Sequence, residues 1–312
     1  MPACDTQGNT LPMKILITGD KGFLGVRLRA ALEEHKHDVV GFDIADGKDI
    51  TNVEQVQETF AKEKPDICIH LAAVANLNFY HKAPEKAHAI NVTGTHNILK
   101  AAGKTCKVYY ASTCCGYGDN HCHPCTEDGP TVPTEKYAQA KIDMEPHVLR
   151  ANPRNLNMRL ATLYGPNMRR ELAPAIFLER LHRDEPIQVH GDGSASRTMT
   201  YVDDIVSGIV TLVNNPPAYG LFQTVNITTE ESVTILDMIH AAEKVTGKTA
   251  KLEFVADRSF QIPKEEILSR RLQSLGWKPS KTFLEGMVVA YAQFVADGGR
   301  WTQSSGVDPS KI

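Results

Sequence analysis

The sequence predicts an α/β protein built on a doubly wound parallel sheet, with a smaller C-terminal α/β lobe. Two observations predict it. The first half alternates short apolar runs with segments of helical spacing, which is typical of a parallel sheet covered by helices on both faces. A glycine-rich turn, Thr18–Gly25, stands between the first apolar run and the first helical segment. After Pro166 the rhythm changes, which indicates the second lobe.

The individual elements follow from their periodicity and their breaks. Short apolar runs bounded by polar or glycine residues predict strands, and apolar residues three or four apart predict helices. The predicted strands are Lys14–Thr18, Val39–Asp43, Ile67–Leu71, Lys107–Ser112, Leu156–Leu160 and Ile187–His190. The predicted helices are Phe23–Glu34, Val53–Lys62, Ala87–Ala102, Tyr137–Leu149, Ala173–Arg183 and about Val202–Val213.

The same pattern predicts the division of the 312 residues into domains. Residues 1–12 are expected to be a disordered lead, and residues 291–312 a polar tail. Residues 13–165 form the predicted dinucleotide-binding domain and residues 166–290 the second lobe. Segments near 188–213 are expected to cross back to the first domain.

Composition excludes several classes of protein. The formal charge of −3 leaves no general basic field, so nucleic acid is not an expected partner. No apolar run reaches the roughly 18 residues of a membrane helix, and the first twelve residues lack a secretory signal pattern. The odd count of seven cysteines is typical of a reduced compartment. We therefore expect a cytoplasmic protein without a membrane partner.

The glycine turn predicts a dinucleotide site of the Rossmann type. Gly19, Gly22 and Gly25 let backbone N–H groups and a helix start approach a diphosphate. Asp43 ends the second strand, 18 residues after Gly25, where an acid accepts the two ribose hydroxyls and repels a 2′-phosphate. The next residues carry no arginine, so we predict NAD rather than NADP. Asp49-Ile50 is a candidate contact for the adenine edge, or a plain surface turn.

A tyrosine and a lysine predict the chemistry. Tyr137 and Lys141 lie four apart at the start of a predicted helix, so they share one face. A phenol titrates near ~10, and a neighbouring ammonium together with a positive nicotinamide favours its phenolate. Tyr137 then takes a proton from a sugar hydroxyl while hydride leaves for NAD. Ser112-Thr113 ends a strand at the sheet edge where ligands bind, and its hydroxyl is placed to relay the proton.

Taken in order, these motifs resemble the extended short-chain dehydrogenase/reductases of the NAD-dependent epimerase/dehydratase family, over about Met13–Met287. The motifs that carry the resemblance are Thr18–Gly25, His70-Leu71-Ala72-Ala73, Asn91-Val92-Thr93-Gly94-Thr95, Ser112-Thr113 with Tyr117-Gly118, Tyr137 with Lys141, Tyr164-Gly165-Pro166, Gly191–Arg197, Tyr201-Val202-Asp203-Asp204 and Leu275-Gly276-Trp277-Lys278-Pro279.

The resemblance implies a set of site residues, a nucleotide-sugar substrate and a homodimer. The implied catalytic residues are Thr113, Tyr137, Lys141 and Cys115. The predicted cofactor contacts are Gly19, Gly22, Phe23, Leu24, Gly25, Asp43, Asp49, Ile50, Leu71, Ala72, Ala73, Tyr137 and Lys141. The predicted substrate contacts are Asn76, Thr162, Arg197 and Arg258. Arg197 matches the family's diphosphate-binding arginine, because a guanidinium grips phosphate oxygens in pairs. The second lobe, residues 166–290, is then the nucleotide-sugar-binding lobe.

Two departures from the family pattern bear on the reaction. Thr162 stands where the family often has an asparagine. Cys114-Cys115 follows Thr113 where related dehydratases carry Asp-Glu and related decarboxylases carry Glu. The missing acids favour a 4-epimerase that oxidises C4 to a ketone and returns the hydride to the other face. Dehydration, decarboxylation or 3,5-epimerisation with Cys115 as the acid/base is the alternative.

Three further hypotheses remain open at this point. A reductase of a small ketone would keep Tyr137 and Lys141 but has no use for Arg197. A dinucleotide-sensing protein would need neither the tyrosine nor the lysine. The segment His121-Cys122-His123-Pro124-Cys125 suggests zinc, but it supplies one ligand pair without a second at matching spacing, so we predict no metal and a loop over the active site.

Overall fold

The computed structural model describes residues 11–118, 123–257 and 262–301. Its strands are β1 (Lys14–Thr18), β2 (Asp38–Phe42), β3 (Ile67–His70), β4 (Lys107–Thr113), β5 (Leu156–Leu160), β6 (Thr162–Tyr164), β7 (Ile187–His190), β8 (Ser196–Tyr201), β9 (Thr224–Ile227), β10 (Ser232–Thr234) and β11 (Leu252–Val255). Its α-helices are α1 (Phe23–Glu34), α2 (Val53–Glu63), α3 (Leu77–Lys82), α4 (Pro84–His88), α5 (Gly94–Ala102), α6 (Lys136–Ala151), α7 (Ala173–His182), α8 (Val202–Asn214), α9 (Ile235–Thr246), α10 (Arg270–Ser274) and α11 (Phe283–Ala296).

The large sheet is parallel throughout and has the order β2-β1-β3-β4-β5-β9. Its central strands are apolar on both faces, and Ile67, Cys68 and Ile69 of β3 are fully buried. The strand order reverses between β1 and β3, so the connections that follow these two paired strands lead in opposite directions and leave a crevice at their carboxyl ends, the usual ligand position in such sheets. The predicted Rossmann-like fold is confirmed.

Most predicted elements of the first half have the observed bounds within one or two residues. The segment predicted as one helix, Ala87–Ala102, is different. It begins as α4 at Pro84, passes through a π-helical turn at Ala89–Thr93 and continues as α5. The cause is visible at Asn91, whose amide donates to Val74 O at 3.0 Å and accepts from Val74 N at 2.8 Å. The widened turn thus ties the helix to the loop after β3.

The second half of the chain contributes to two layers. Strand β9 joins the large sheet, and α8 packs on α1 over the same core. Strand β8 pairs with β6 in parallel and with β10 antiparallel, and β7 pairs with β11. Tyr164, Phe177, Ile239 and Met287 belong to the separate core beneath these small sheets. No helix in the described parts of the chain has the length and apolar character needed to span a bilayer.

A buried ion pair fixes α6 against the sheet. The Arg159 guanidinium on β5 donates to both carboxylate oxygens of Glu145 on α6, at 2.9 and 2.7 Å. Ser112 Oγ donates to the same carboxylate at 2.6 Å, and Arg159 donates to Tyr117 OH at 3.0 Å. Glu145 is 6% exposed and Arg159 is 7% exposed, so each depends on the other for compensation of its charge.

Replacing Glu145 by Ala is expected to destabilise the protein strongly, because it leaves the Arg159 charge buried and unpaired. The expected loss in the free energy of unfolding is about 3–5 kcal/mol, measured by urea denaturation. Glu33→Ala is the matched control, since its pair with Arg29 is partly exposed, and it should stay within about 0.5 kcal/mol of the parent. Equal stability of the two variants would contradict this account of the ion pair.

Candidate active site

Two adjoining pockets open at the carboxyl edge of the large sheet. The first, the glycine pocket, has a volume of about 190 Å³ and is lined among others by Gly19, Asp43 and Ala72. The second, the tyrosine pocket, has a volume of about 350 Å³ and holds Tyr137 and other polar groups. Leu71 and Ala73 line both pockets, so the two spaces adjoin.

The glycines shape the wall of the glycine pocket. Gly19 has φ +76°, and a Cβ there would lie 2.9 Å from Ala72 N. A Cβ on Gly25 would lie 2.1 Å from Gly19 O, so α1 packs this closely on the loop only because residue 25 is glycine. Gly22 is the N-cap of α1 and offers no side-chain cap. The N–H groups at the start of α1 therefore face an anion site.

Asp43 stands at the far end of the glycine pocket. Its carboxylate accepts from Ala45 N at 2.8 Å and from Lys21 N at 3.0 Å, which fixes the orientation of both oxygens. Each oxygen keeps a lone pair for a ribose hydroxyl. Asp49 and Ile50 line the same pocket, and their contact with the adenine edge remains a prediction.

The pockets fit a dinucleotide. The glycine backbone lies where a diphosphate belongs and the acid lies where a ribose diol belongs, and the adjoining pocket contains the tyrosine. Of the predicted cofactor residues, Phe23, Leu24, Tyr137 and Lys141 line the tyrosine pocket. Gly25 lies behind the loop and acts through packing.

Tyr137 and Lys141 meet Thr113 in the tyrosine pocket, where α6 faces the end of β4. Lys141 is 2% exposed, and its Nζ donates to Ala111 O at 2.8 Å. Burial lowers the pKa of Lys141 to about 7. Burial raises the pKa of Tyr137, and its hydrogen bond with Thr113 opposes that rise. Without a cofactor, the phenol is therefore protonated at neutral pH.

Cys115 lines the tyrosine pocket one turn beyond Thr113. Its backbone N–H donates to Thr113 Oγ1 at 3.1 Å. Solvent reaches the thiol through the pocket, but the surrounding protein desolvates it. This burial, with the charge of Glu265, raises the pKa of Cys115, while Arg197 and Arg169 oppose the rise. The structure therefore favours a protonated thiol over a thiolate.

Arg169 is a site residue that the sequence reasoning missed. It lines the tyrosine pocket, and the only hydrogen bond described for its side chain runs from Nη1 to Ala75 O at 3.3 Å. Its positive charge opposes the rise that burial causes in the pKa of Tyr137 and in the pKa of Cys115. The available signal was its position three residues after Pro166, in the segment before α7.

Of the predicted substrate contacts that the structure describes, Thr162 alone lines the tyrosine pocket. Asn76 lines neither pocket, and its Oδ1 accepts from Phe79 N at 3.2 Å as the cap of α3. Arg197 lies near Cys115, but its Nη1 donates to Ser196 O at 2.6 Å and Ile262 O at 2.8 Å. Arg258 lies outside the described residues.

The segment singled out for zinc is only partly described. His121 and Cys122 lie outside the described residues, whereas Cys125 is buried and contacts His123 Nδ1 at 3.9 Å. Within the described parts of the chain, no group of three or more His, Cys, Asp or Glu side chains is arranged to hold a metal ion.

A parallel sheet with this glycine loop, a carboxylate after β2 and a buried Tyr-Lys pair defines an NAD-binding enzyme of the short-chain dehydrogenase type. The model of the NAD dependent epimerase/dehydratase family matches residues 15–228. The chain belongs to this family. The predicted resemblance and NAD as cofactor are thereby confirmed.

Relatives with described activities agree with the family. The chain is 28% identical to a Rhizobium meliloti protein described as a probable UDP-glucuronate 4-epimerase, over 88% of this chain and 95% of the relative. It is 25% identical to the Thermotoga maritima UDP-glucose 4-epimerase solved with UDP-glucose, with a TM-score of 0.83 over 91% and 99% of the chains. The UDP-glucuronic acid 4-epimerase of Bacillus cereus, solved with UDP-glucuronic acid and NAD, shares the fold at TM-score 0.81 and 24% identity, over 91% and 99% of the chains.

Asp43→Asn is expected to weaken NAD binding by about tenfold, because a charged acceptor for the ribose diol is lost. The preference for NAD over NADP should shrink as well. Titration calorimetry on cofactor-free protein measures the dissociation constants of NAD and of NADP. Asp46→Asn, a nearby partly exposed carboxylate paired with Lys21, is the control. An unchanged NAD preference in Asp43→Asn would refute the assigned role.

Lys141→Met is expected to abolish turnover and yet to raise the Tm of cofactor-free protein. The lysine pKa is lowered from 10.5 to about 7 on folding, so the unfolded chain binds the extra proton between those values. The resulting destabilisation increases as pH falls from 10.5 towards 7 and is constant below.

The Tm gain of Lys141→Met should therefore be larger at pH 7 than at pH 9.5. Scanning calorimetry at the two pH values, with the exposed Lys244→Met as control, measures this difference. A gain independent of pH would show that the buried ammonium is not its source.

Proposed function

We propose that this protein is an NAD-dependent 4-epimerase of a UDP-linked sugar, with a uronate sugar as the preferred substrate. One observation carries the proposal. Thr113, Tyr137 and Lys141 share a pocket with the cofactor space, and none of the described side chains that line this pocket is an Asp or a Glu. The site thus holds what oxidation and reduction at one carbon require, without the acids of a dehydratase.

Tyr137 handles the proton of the sugar C4 hydroxyl. When bound, NAD would supply the hydride acceptor for C4 and would return the hydride. The positive charge of its nicotinamide and the Lys141 ammonium would together favour the phenolate of Tyr137. The phenolate takes the hydroxyl proton through or beside Thr113, and the resulting phenol gives it back after the ketone has turned over in the pocket. Such a positioned acid/base contributes about 10²–10⁴ in rate.

Arg169 supports the choice of a uronate. Its guanidinium lines the pocket beside Tyr137 and keeps donors beyond its contact with Ala75 O. A planar fork of donors matches a carboxylate in pairs, and a uronate carries its carboxylate on C5, the ring carbon next to C4. The Rhizobium meliloti relative, described as a probable UDP-glucuronate 4-epimerase, agrees with this choice.

Arg169→Gln is expected to lower kcat/KM for UDP-glucuronate by about ten- to hundredfold, because one charge-assisted pair is lost. The value for UDP-glucose should change little. Arg170→Gln, an exposed neighbour outside the pocket, is the matched control. A proportional loss for both sugars would assign Arg169 to positioning rather than to carboxylate recognition.

It remains a prediction that Cys115 acts as the acid/base of a 3,5-epimerisation or of a dehydration. Its place beside Tyr137 keeps that alternative open, whereas its raised pKa disfavours a thiolate base. Under the 4-epimerase proposal, Cys115→Ser should change turnover by no more than about twofold, since that reaction moves its proton through Tyr137 and needs none from the thiol. Steady-state rates by NMR measure this, and a loss of about hundredfold would promote the alternative.

The remaining expectations stand as proposals. We keep Asn76, Thr162, Arg197 and Arg258 as substrate contacts, and residues 13–165 and 166–290 as the two domains. A homodimer through α4, α5 and α6 remains a proposal that the family resemblance implies. The free thiols, including Cys68, Cys106 and Cys114, support a cytoplasmic location.

The decisive test offers the purified protein a panel of nucleotide sugars in deuterated water without added cofactor. We expect UDP-glucuronate to isomerise at C4 with no change in mass, followed by NMR and mass spectrometry. Deuterium incorporation at C3 or C5 would move the chemistry to another carbon. Loss of water or carbon dioxide would indicate a dehydratase or a decarboxylase. No reaction with any sugar would revive the reductase that consumes its cofactor.

A further inference from the structure

A second polar cavity lies at the opposite, amino edge of the large sheet. It has a volume of about 270 Å³ and is formed where β4 and β5 begin and where the loop before β9 arrives. We call it the amino-edge pocket. Its lining includes Lys107, Arg154, Tyr219, Phe222 and Gln223, together with three prolines.

The amino-edge pocket carries positive charge without compensation in its walls. Lys107 and Arg154 are its ionisable basic groups, and no Asp or Glu is among the described residues that line it. Neither cation forms an ion pair with a described residue, although Arg154 Nη2 donates to Lys104 O at 2.8 Å. Burial and the nearby Arg154 charge both lower the pKa of Lys107, and Asp66 opposes them. An anion in the pocket would relieve this repulsion.

The walls of the pocket are rigid. Pro153, Pro216 and Pro217 line it, and proline fixes the backbone φ angle. Gln223 Nε2 donates to Pro153 O at 2.7 Å, which ties the loop before β9 to the loop before β5. Asn155 Oδ1 accepts from Val108 N at 2.7 Å and secures the second loop to β4. A ligand therefore meets a preformed cavity and orders little on binding.

Aromatic surface borders the charged groups. Tyr219 lies at the rim with 78% of its surface exposed. The Phe222 ring lines the cavity and carries the Arg271 guanidinium 5.6 Å from its centroid. A flat aromatic ligand next to Tyr219 and Phe222 would cover apolar surface that otherwise faces water.

We propose that the amino-edge pocket binds a small aromatic anion, a planar ring that carries one phosphate or carboxylate group. The anionic group lies between Lys107 and Arg154, and the ring lies against Tyr219 and the prolines. The volume is below the range of about 300–1,000 Å³ of pockets for drug-sized ligands, so the ligand is smaller than a nucleotide sugar. The site is separate from the active site, because it lies at the other end of the strands.

The test is titration calorimetry of the full-length protein with phenyl phosphate and with benzoate, in the presence of saturating UDP so that the active site is occupied. We expect saturable binding of at least one probe and weaker binding of inorganic phosphate. Lys107→Gln should raise Kd by about tenfold, the worth of one charge-assisted contact. Lys244→Gln, an exposed lysine on α9, should leave Kd unchanged.

A second variant keeps the test informative if Lys107→Gln fails to fold. Tyr219→Ala removes a side chain that is mostly exposed, and it should weaken the aromatic probes while leaving inorganic phosphate binding unchanged. Epimerase turnover should stay at the parent level in both pocket variants, so a failure here is independent of the proposed function. The proposal is wrong if no probe saturates at millimolar concentration, or if Lys107→Gln and Lys244→Gln bind alike.

Discussion

The buried pair between Glu145 and Arg159 is the interaction on which the active site depends. It joins α6 to β5, and through Ser112 it also joins α6 to β4. Tyr137 and Lys141 are carried by the first turns of α6, whereas Thr113 is carried by the end of β4. The pair therefore helps to hold Tyr137 and Lys141 close to Thr113. Groups that are supported in this way by rigid elements keep the geometry that catalysis requires.

Burial disfavours the charged forms of Tyr137 and Lys141 in the protein alone. Desolvation raises the pKa of Tyr137 and lowers the pKa of Lys141 to about 7, so the phenol is neutral and the lysine is only partly protonated at neutral pH. The positive nicotinamide of bound NAD would favour the phenolate of Tyr137. The proposed base would then form together with the binding of the hydride acceptor.

The sequence predicted most elements of the first half individually, whereas in the second half it predicted only α7, β7 and α8, each within one residue of the observed bounds. Repeated strand–turn–helix units with glycine and aspartate at the turns carry their own signal, so β1, α1 and β5 have the predicted bounds. The π-helical turn at Ala89–Thr93 escaped prediction because it depends on a tertiary contact of Asn91.

The site shows the same division between local and tertiary signals. Asp43 was predicted from its place at a strand end, Tyr137 from its spacing to Lys141, and Thr113 from its place before Tyr117-Gly118 in the motif that carries the resemblance. Arg169 was missed because it reaches the pocket from a loop between β6 and α7, and its position depends on the packing of the small sheets.

The central claim is that one hydride leaves C4 and returns to C4 of the same sugar through bound cofactor. Incubating the protein with UDP-glucuronate deuterated at C4 tests this most directly, with NMR and mass spectrometry of the epimerised product. The account predicts that the product retains the deuterium at C4. A product that has exchanged the label for solvent hydrogen, or that carries it at another carbon, would contradict the account.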